Sequence, residues 1–135
     1  MIQNRILQAL ACAILIPAAA AVLPARAQDP APHSDARFRQ LGDCMAFFAV
    51  AGGLDGKKDV DPNLAQKIAD MGTELMFEAS ILGYDDDKAQ TYVVNRLVER
   101  NTEVNENGSD EMMANYGPMC AALSDQVSSK TKPKE

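Results

Sequence analysis

The sequence contains no tryptophan, a single histidine, and only four phenylalanines and three tyrosines. That is poor material for a sugar-binding cleft, which leaves little for paired-carboxylate glycosidase chemistry to act on. The lone His33 lies in a proline-containing polar stretch, so Ser-His-Asp and Cys-His arrangements lack a base within the periodic part of the chain. None of G-x-S-x-G, G-x-x-x-x-G-K-S/T or H-E-x-x-H occurs, which removes the nucleophile elbow, the phosphate-cradling loop and the helix-borne zinc pair. Basic residues are also in deficit, with 13 Lys and Arg against 19 Asp and Glu. Nucleic acid needs a basic face to neutralise its phosphates, so it is not an expected partner. An anionic membrane surface repels the chain for the same reason.

The N-terminal region is different in kind. Arg5, an apolar run over residues 6–16 and Ala25-Arg26-Ala27 predict a secretory signal peptide cleaved after Ala27. Pro17 interrupts the run short of the roughly 20 residues that a spanning helix needs, so no stable membrane anchor is expected after cleavage. Cleavage removes Cys12, Arg5 and Arg26 but no acidic residue, which leaves a charge of 11 − 19 = −8. Residues 28–35 read as a flexible leader, 36–128 as a helical domain and 129–135 as a flexible tail. Export places the chain in the periplasm or outside the cell. There the two remaining cysteines, Cys44 and Cys120, have one intramolecular pairing open to them and are expected to form a disulfide. No C-x-x-C spacing or neighbouring histidine favours a redox or metal role for them.

Helical periodicity fills the rest. Phe38, Leu41, Met45, Phe48 and Ala49 recur at three- and four-residue steps, predicting a first helix that ends near Gly52-Gly53. Asp61-Pro62 pairs an N-cap acceptor with a first-turn proline, and Leu64, Ile68, Met71, Leu75, Phe77, Ala79 and Leu82 continue the period to Gly83. Asp85-Asp86-Asp87 suits the positive end of a third helix, with Ala89, Tyr92, Val93, Leu97 and Val98 as its buried face. Ser109 is the expected N-cap of a fourth helix carrying Met112, Met113, Tyr116, Met119, Leu123 and Val127, in which Pro118 is expected to cause a kink or a break. No segment alternates as a strand would. The predicted fold is an all-α bundle of four helices, or five if Pro118 breaks the last, stapled by Cys44–Cys120.

Residues 103–111, E-V-N-E-N-G-S-D-E, come nearest to a site motif. With Gly108 as the sixth position of a calcium loop, Asn105 and Asn107 fall at positions three and five and Glu103 at position one. Ala114 then stands where a bidentate glutamate is required, so these three are weak metal candidates and a plain turn explains the stretch. Asp55, Asp59 and Asp61 surround two lysines in a polar loop and read as a linker. The methionines fall mostly on helical stripes and read as core rather than as soft ligands for Cu(I). The resulting expectation is an exported, non-catalytic protein-binding module of inhibitor, immunity or adaptor type. It needs no cofactor, and its acidic surface would steer it to a basic protein. Two other readings are an acid-activated periplasmic holdase chaperone and a carrier of a metal or small ligand.

Overall fold

The computed structural model describes residues 33–54 and 59–131. They form four helices, α1 (Asp35–Ala51), α2 (Pro62–Ile81), α3 (Asp86–Asn107) and α4 (Ser109–Thr131), and include no strand. The fold is thus the small all-α bundle that the spacing of apolar residues predicts. The signal segment and part of the acidic loop with Asp55 lie outside the described residues.

Side-chain caps start three of the helices by satisfying backbone donors that have no partner within the helix. Ser34 Oγ accepts from the Arg37 amide at 3.1 Å, Asp61 from that of Asn63 at 2.8 Å and Asp85 from that of Lys88 at 2.8 Å. Pro62 occupies the first turn of α2, where its missing N–H is harmless. Gly83 and Gly108 follow α2 and α3 with φ of +72° and +90°, a region that side chains with a Cβ rarely enter.

The chain runs up, down, up and down. Met45 of α1 lies beside Gly72 of α2, Asp43 of α1 faces Tyr92 of α3, and Arg100 of α3 stacks on Tyr116 of α4. Phe38, Leu41, Cys44 and Phe47 of α1 meet Met71, Leu75 and Ala79 of α2, Ala89 of α3, and Met112, Cys120, Leu123 and Val127 of α4 in one core. Cys44 and Cys120 are bonded and fully buried, with 5.2 Å between their Cα atoms. The staple joins the first helix to the last across 76 residues of sequence.

Several details depart from the sequence expectation. Residues 33–35, expected in the leader, belong to the packed body, because Ser34 caps α1 and Asp35 starts it. At the other end α4 continues to Thr131. Pro118 does not break α4, which runs unbroken from Ser109 to Thr131. Proline penalises a helical conformation in the residue before it partly through that residue's Cβ, and here the preceding residue is Gly117. The unbonded carbonyl of Ala114 lies on an exposed turn, where water can serve it. Ser109 is the first residue of α4, and only Gly108 separates it from α3. Phe77 and Val98, expected in buried stripes, are 54% and 60% exposed. Met71 and Met112 are core residues, but Met76, Met113 and Met119 sit at the surface.

Candidate functional site

The six helix pairs do not pack equally, and the α2–α3 pair is the loosest. The cause lies partly in α1. A Cβ at Gly42 would stand 2.6 Å from Cδ1 of Tyr92, so the glycine lets α3 settle directly on the α1 backbone. Held there, α3 leaves a gap toward α2. The gap is an open apolar groove of about 260 Å³ between α2 and α3, with Met45 of α1 among its lining residues. Gly72 and Met76 form its α2 wall, and Val93, Val94 and the single polar residue Gln90 form its α3 wall. Met76 is 37% exposed and Val94 55%, so both walls carry apolar surface to the rim. One turn beyond Val94, Val98 extends this exposed strip.

On its other flank α3 is closed by polar pairs. The Tyr92 hydroxyl donates to Asp43 at 3.1 Å, and the Arg96 guanidinium stands 3.8 Å from the same carboxylate. Burial raises the pKa of Asp43 against the opposing pull of Tyr92 and Arg96. Burial, reinforced by Asp43, pushes the Tyr92 phenol up to about 12. Arg100, nearly buried, pairs with Glu103 and stacks on Tyr116 with its central carbon 3.9 Å from the ring centre. A second cavity, of about 370 Å³, opens beside Tyr84, Tyr92, Lys88 and Asn95. Its charged groups already engage one another: the Tyr84 hydroxyl donates to Asp35 at 2.6 Å, Arg39 pairs with Asp35 at 2.7 Å, and Lys88 Nζ lies 3.2 Å from the centre of the Tyr84 ring. The hydrogen bond from Tyr84, aided by Arg39, holds the Asp35 carboxyl below its ordinary range despite some desolvation.

The base of the bundle carries a string of charge that crosses three helices. Lys130 of α4 reaches Glu74 of α2 at 2.8 Å, Arg37 of α1 reaches Glu74 at 3.3 Å, and Arg37 also lies 3.7 Å from Glu78. Burial opposes ionisation of Glu74, but hydrogen bonds from Lys130 and Arg37 outweigh it and hold its pKa below the ordinary value. Glu78 is almost completely buried, and its Oε1 meets His33 Nδ1 at 3.0 Å. His33 is therefore anchored in a position that sequence reading assigned to a leader, its ring edge against Phe77. The hydroxyl next in sequence, on Ser34, is engaged as the α1 cap.

These pairings leave an uneven surface. All seven described cations are engaged: five in salt bridges, and Lys67 and Lys88 over aromatic rings. Many carboxylates have no salt-bridge partner among the described residues, including Asp85, Asp86 and Asp87 at one end of the bundle and Asp61, Glu106, Asp110 and Glu111 at the other.

The weak metal candidates are not gathered around a cation. Glu103 is turned to Arg100, Asn105 and Asn107 are exposed on the last turns of α3, and one residue stands where a calcium loop would need many. Among the described residues no group of three or more His, Cys, Asp or Glu could hold a metal ion. No described helix is long and apolar enough to cross a membrane. The groove, and the burial of Arg37, Glu78 and Arg100, escaped sequence reading, because each depends on a neighbouring helix rather than on spacing within one. No family model, curated protein or solved structure matches the chain significantly.

Proposed function

We propose that the protein is an exported, non-catalytic binding module, of inhibitor or adaptor type, whose partner is a protein with a basic surface. The observation that carries this reading is the division of charge. Among the described residues, seven Lys and Arg stand against sixteen Asp and Glu, five of the cations are paired with carboxylates, and carboxylates without a salt-bridge partner lie at both ends of the bundle, so this surface is net negative. Such a surface accelerates encounter with a positively charged protein and disfavours acidic ones. The buried staple between α1 and α4 suits a small domain working in an oxidising compartment such as the periplasm, where a core of this size gains from a cross-link.

Affinity capture from the periplasmic or secreted fraction, at low salt and again at roughly 0.5 M salt, tests the proposal because exposed charges are screened at the higher concentration. A basic protein recovered at low salt and released at high salt supports it. Recovery of no basic partner at low salt counts against it.

A further inference from the structure

We infer that the groove between α2 and α3 receives a positively charged amphipathic helix of the partner, seated by two apolar side chains one turn apart. The inference rests on the proposed basic partner and adds where it docks and in what conformation.

Three observations converge on this occupant. The first is chemical. The groove is walled by Gly72, Met76, Val93 and Val94 with only Gln90 polar, so it desolvates hydrocarbon without stranding a buried charge. Its volume of about 260 Å³ suits two medium apolar side chains rather than a whole domain. The second is conformational. Both walls are helices whose backbone groups bond internally, so there is no sheet edge to pair with an extended peptide. A helical segment brings its own backbone bonds already satisfied and needs only side-chain complementarity. Ala65 and Ala69 are exposed two turns and one turn before Gly72 on the same side of α2, and Val98 continues the opposite wall, so the trough is long enough for two to three helical turns.

The third observation is electrostatic. Residues 61–107 hold ten acidic and four basic residues; Glu74 and Glu78 are matched by Arg37 and Lys130 from outside this stretch, and Glu99 and Glu103 by Arg96 and Arg100, which leaves six carboxylates against Lys67 and Lys88. Arg96 and Arg100 are drawn to the opposite flank of α3 by Asp43, Glu103 and Tyr116, and Lys88 is laid over Tyr84. Asp86 and Asp87 occupy the turn of α3 just before Gln90, placing exposed carboxylates at one mouth of the groove. A lysine or arginine flanking the apolar anchors would meet them.

The test repeats the capture with three forms of the full-length protein: wild type, Val94→Glu, and Gly72→Leu. A parallel sample carries a photo-crosslinking residue at position 94. Val94 is exposed enough for glutamate to leave the fold intact, which a melting curve checks. Leucine at Gly72 fills the groove from the α2 side, where a Cβ would already lie 3.3 Å from Cε of Met45. The expected result is a fall in partner recovery of about tenfold or more for both variants, since each sets a charge or a blocking group against an apolar anchor. The crosslink should map to a partner segment with apolar residues three or four apart beside Lys or Arg. A basic partner retained equally by all three forms, with no crosslink from position 94, would overturn the groove assignment and leave the binding-module reading standing. A crosslink to a second copy of this chain or to a lipid would also overturn it, and loss of all capture by wild type would remove both.

Discussion

The two flanks of α3 face different surroundings. One flank lies on α1 and α4, where Gly42 admits Tyr92 to the α1 backbone, Arg100 covers Tyr116, and a buried disulfide ties the outer helices together. The other faces α2 across an apolar gap and shows Val94 and Val98 to solvent. A helix that leaves valines bare beside a thin contact has surface available for recognition, and lone exposed apolar residues acquire meaning only when they line a common groove.

The largest expected effect comes from opening the closed side. Replacing Cys44 and Cys120 by serine removes a link spanning 76 residues, for which the chain-entropy estimate is about 4 kcal/mol. For a domain of this size that corresponds to a fall in melting temperature of roughly 15–30 °C, measured by calorimetry. Next in size, Met71→Ala in the core should cost about 3 kcal/mol by chemical denaturation. Val98→Ala on the open strip should stay within about 0.5 kcal/mol of wild type. Equal losses at the two sites would erase the contrast between the packed core and the open strip. Gly42→Ala falls between them, at about 1–3 kcal/mol, because the new methyl must displace the Tyr92 ring.

A smaller effect concerns pH, and two carboxylates should show opposite signs. Glu74 has a folded pKa below its ordinary value of 4.5, so its contribution is present above that value and is lost as pH falls through the lowered one. Glu74→Gln should therefore lower stability near neutrality, with the two curves converging in strong acid. Asp43 has a raised pKa, so its ionisation opposes folding at neutral pH, and that penalty lifts as pH falls through the raised value. Urea midpoints between pH 7 and pH 3 measure both. Parallel curves for wild type and Glu74→Gln would show that the string reaching Lys130 contributes nothing to the fold.

How far the sequence discloses this contrast can be judged residue by residue. The all-helical fold, the cap at Asp61, the acidic start of α3 and the cysteine pair are legible because each depends on local chemistry or on having no alternative partner. Phe77 and Glu78 show where legibility ends. Hydropathy puts the phenylalanine inside, but Leu75, Glu78, Ala79 and Leu82 form the three- and four-residue series that faces the core, and Phe77 is turned about 100° from Glu78. The carboxylate is tolerated there because Arg37 and His33 approach it from elsewhere in the chain. The groove is hidden for a related reason, since it lies between two helices and depends on how α2 and α3 pack rather than on spacing within either. Pro118 also misleads a local reading, because Gly117 relieves part of the restriction that proline imposes on the residue before it.

Amide hydrogen exchange on the free protein and on its complex with the captured basic partner tests the contrast most directly. New protection over residues 65–76 and 90–98, with α4 unchanged, is the predicted footprint. Protection confined to α1 and α4 would contradict the account, because it would place the partner on the stapled side and leave the apolar groove idle.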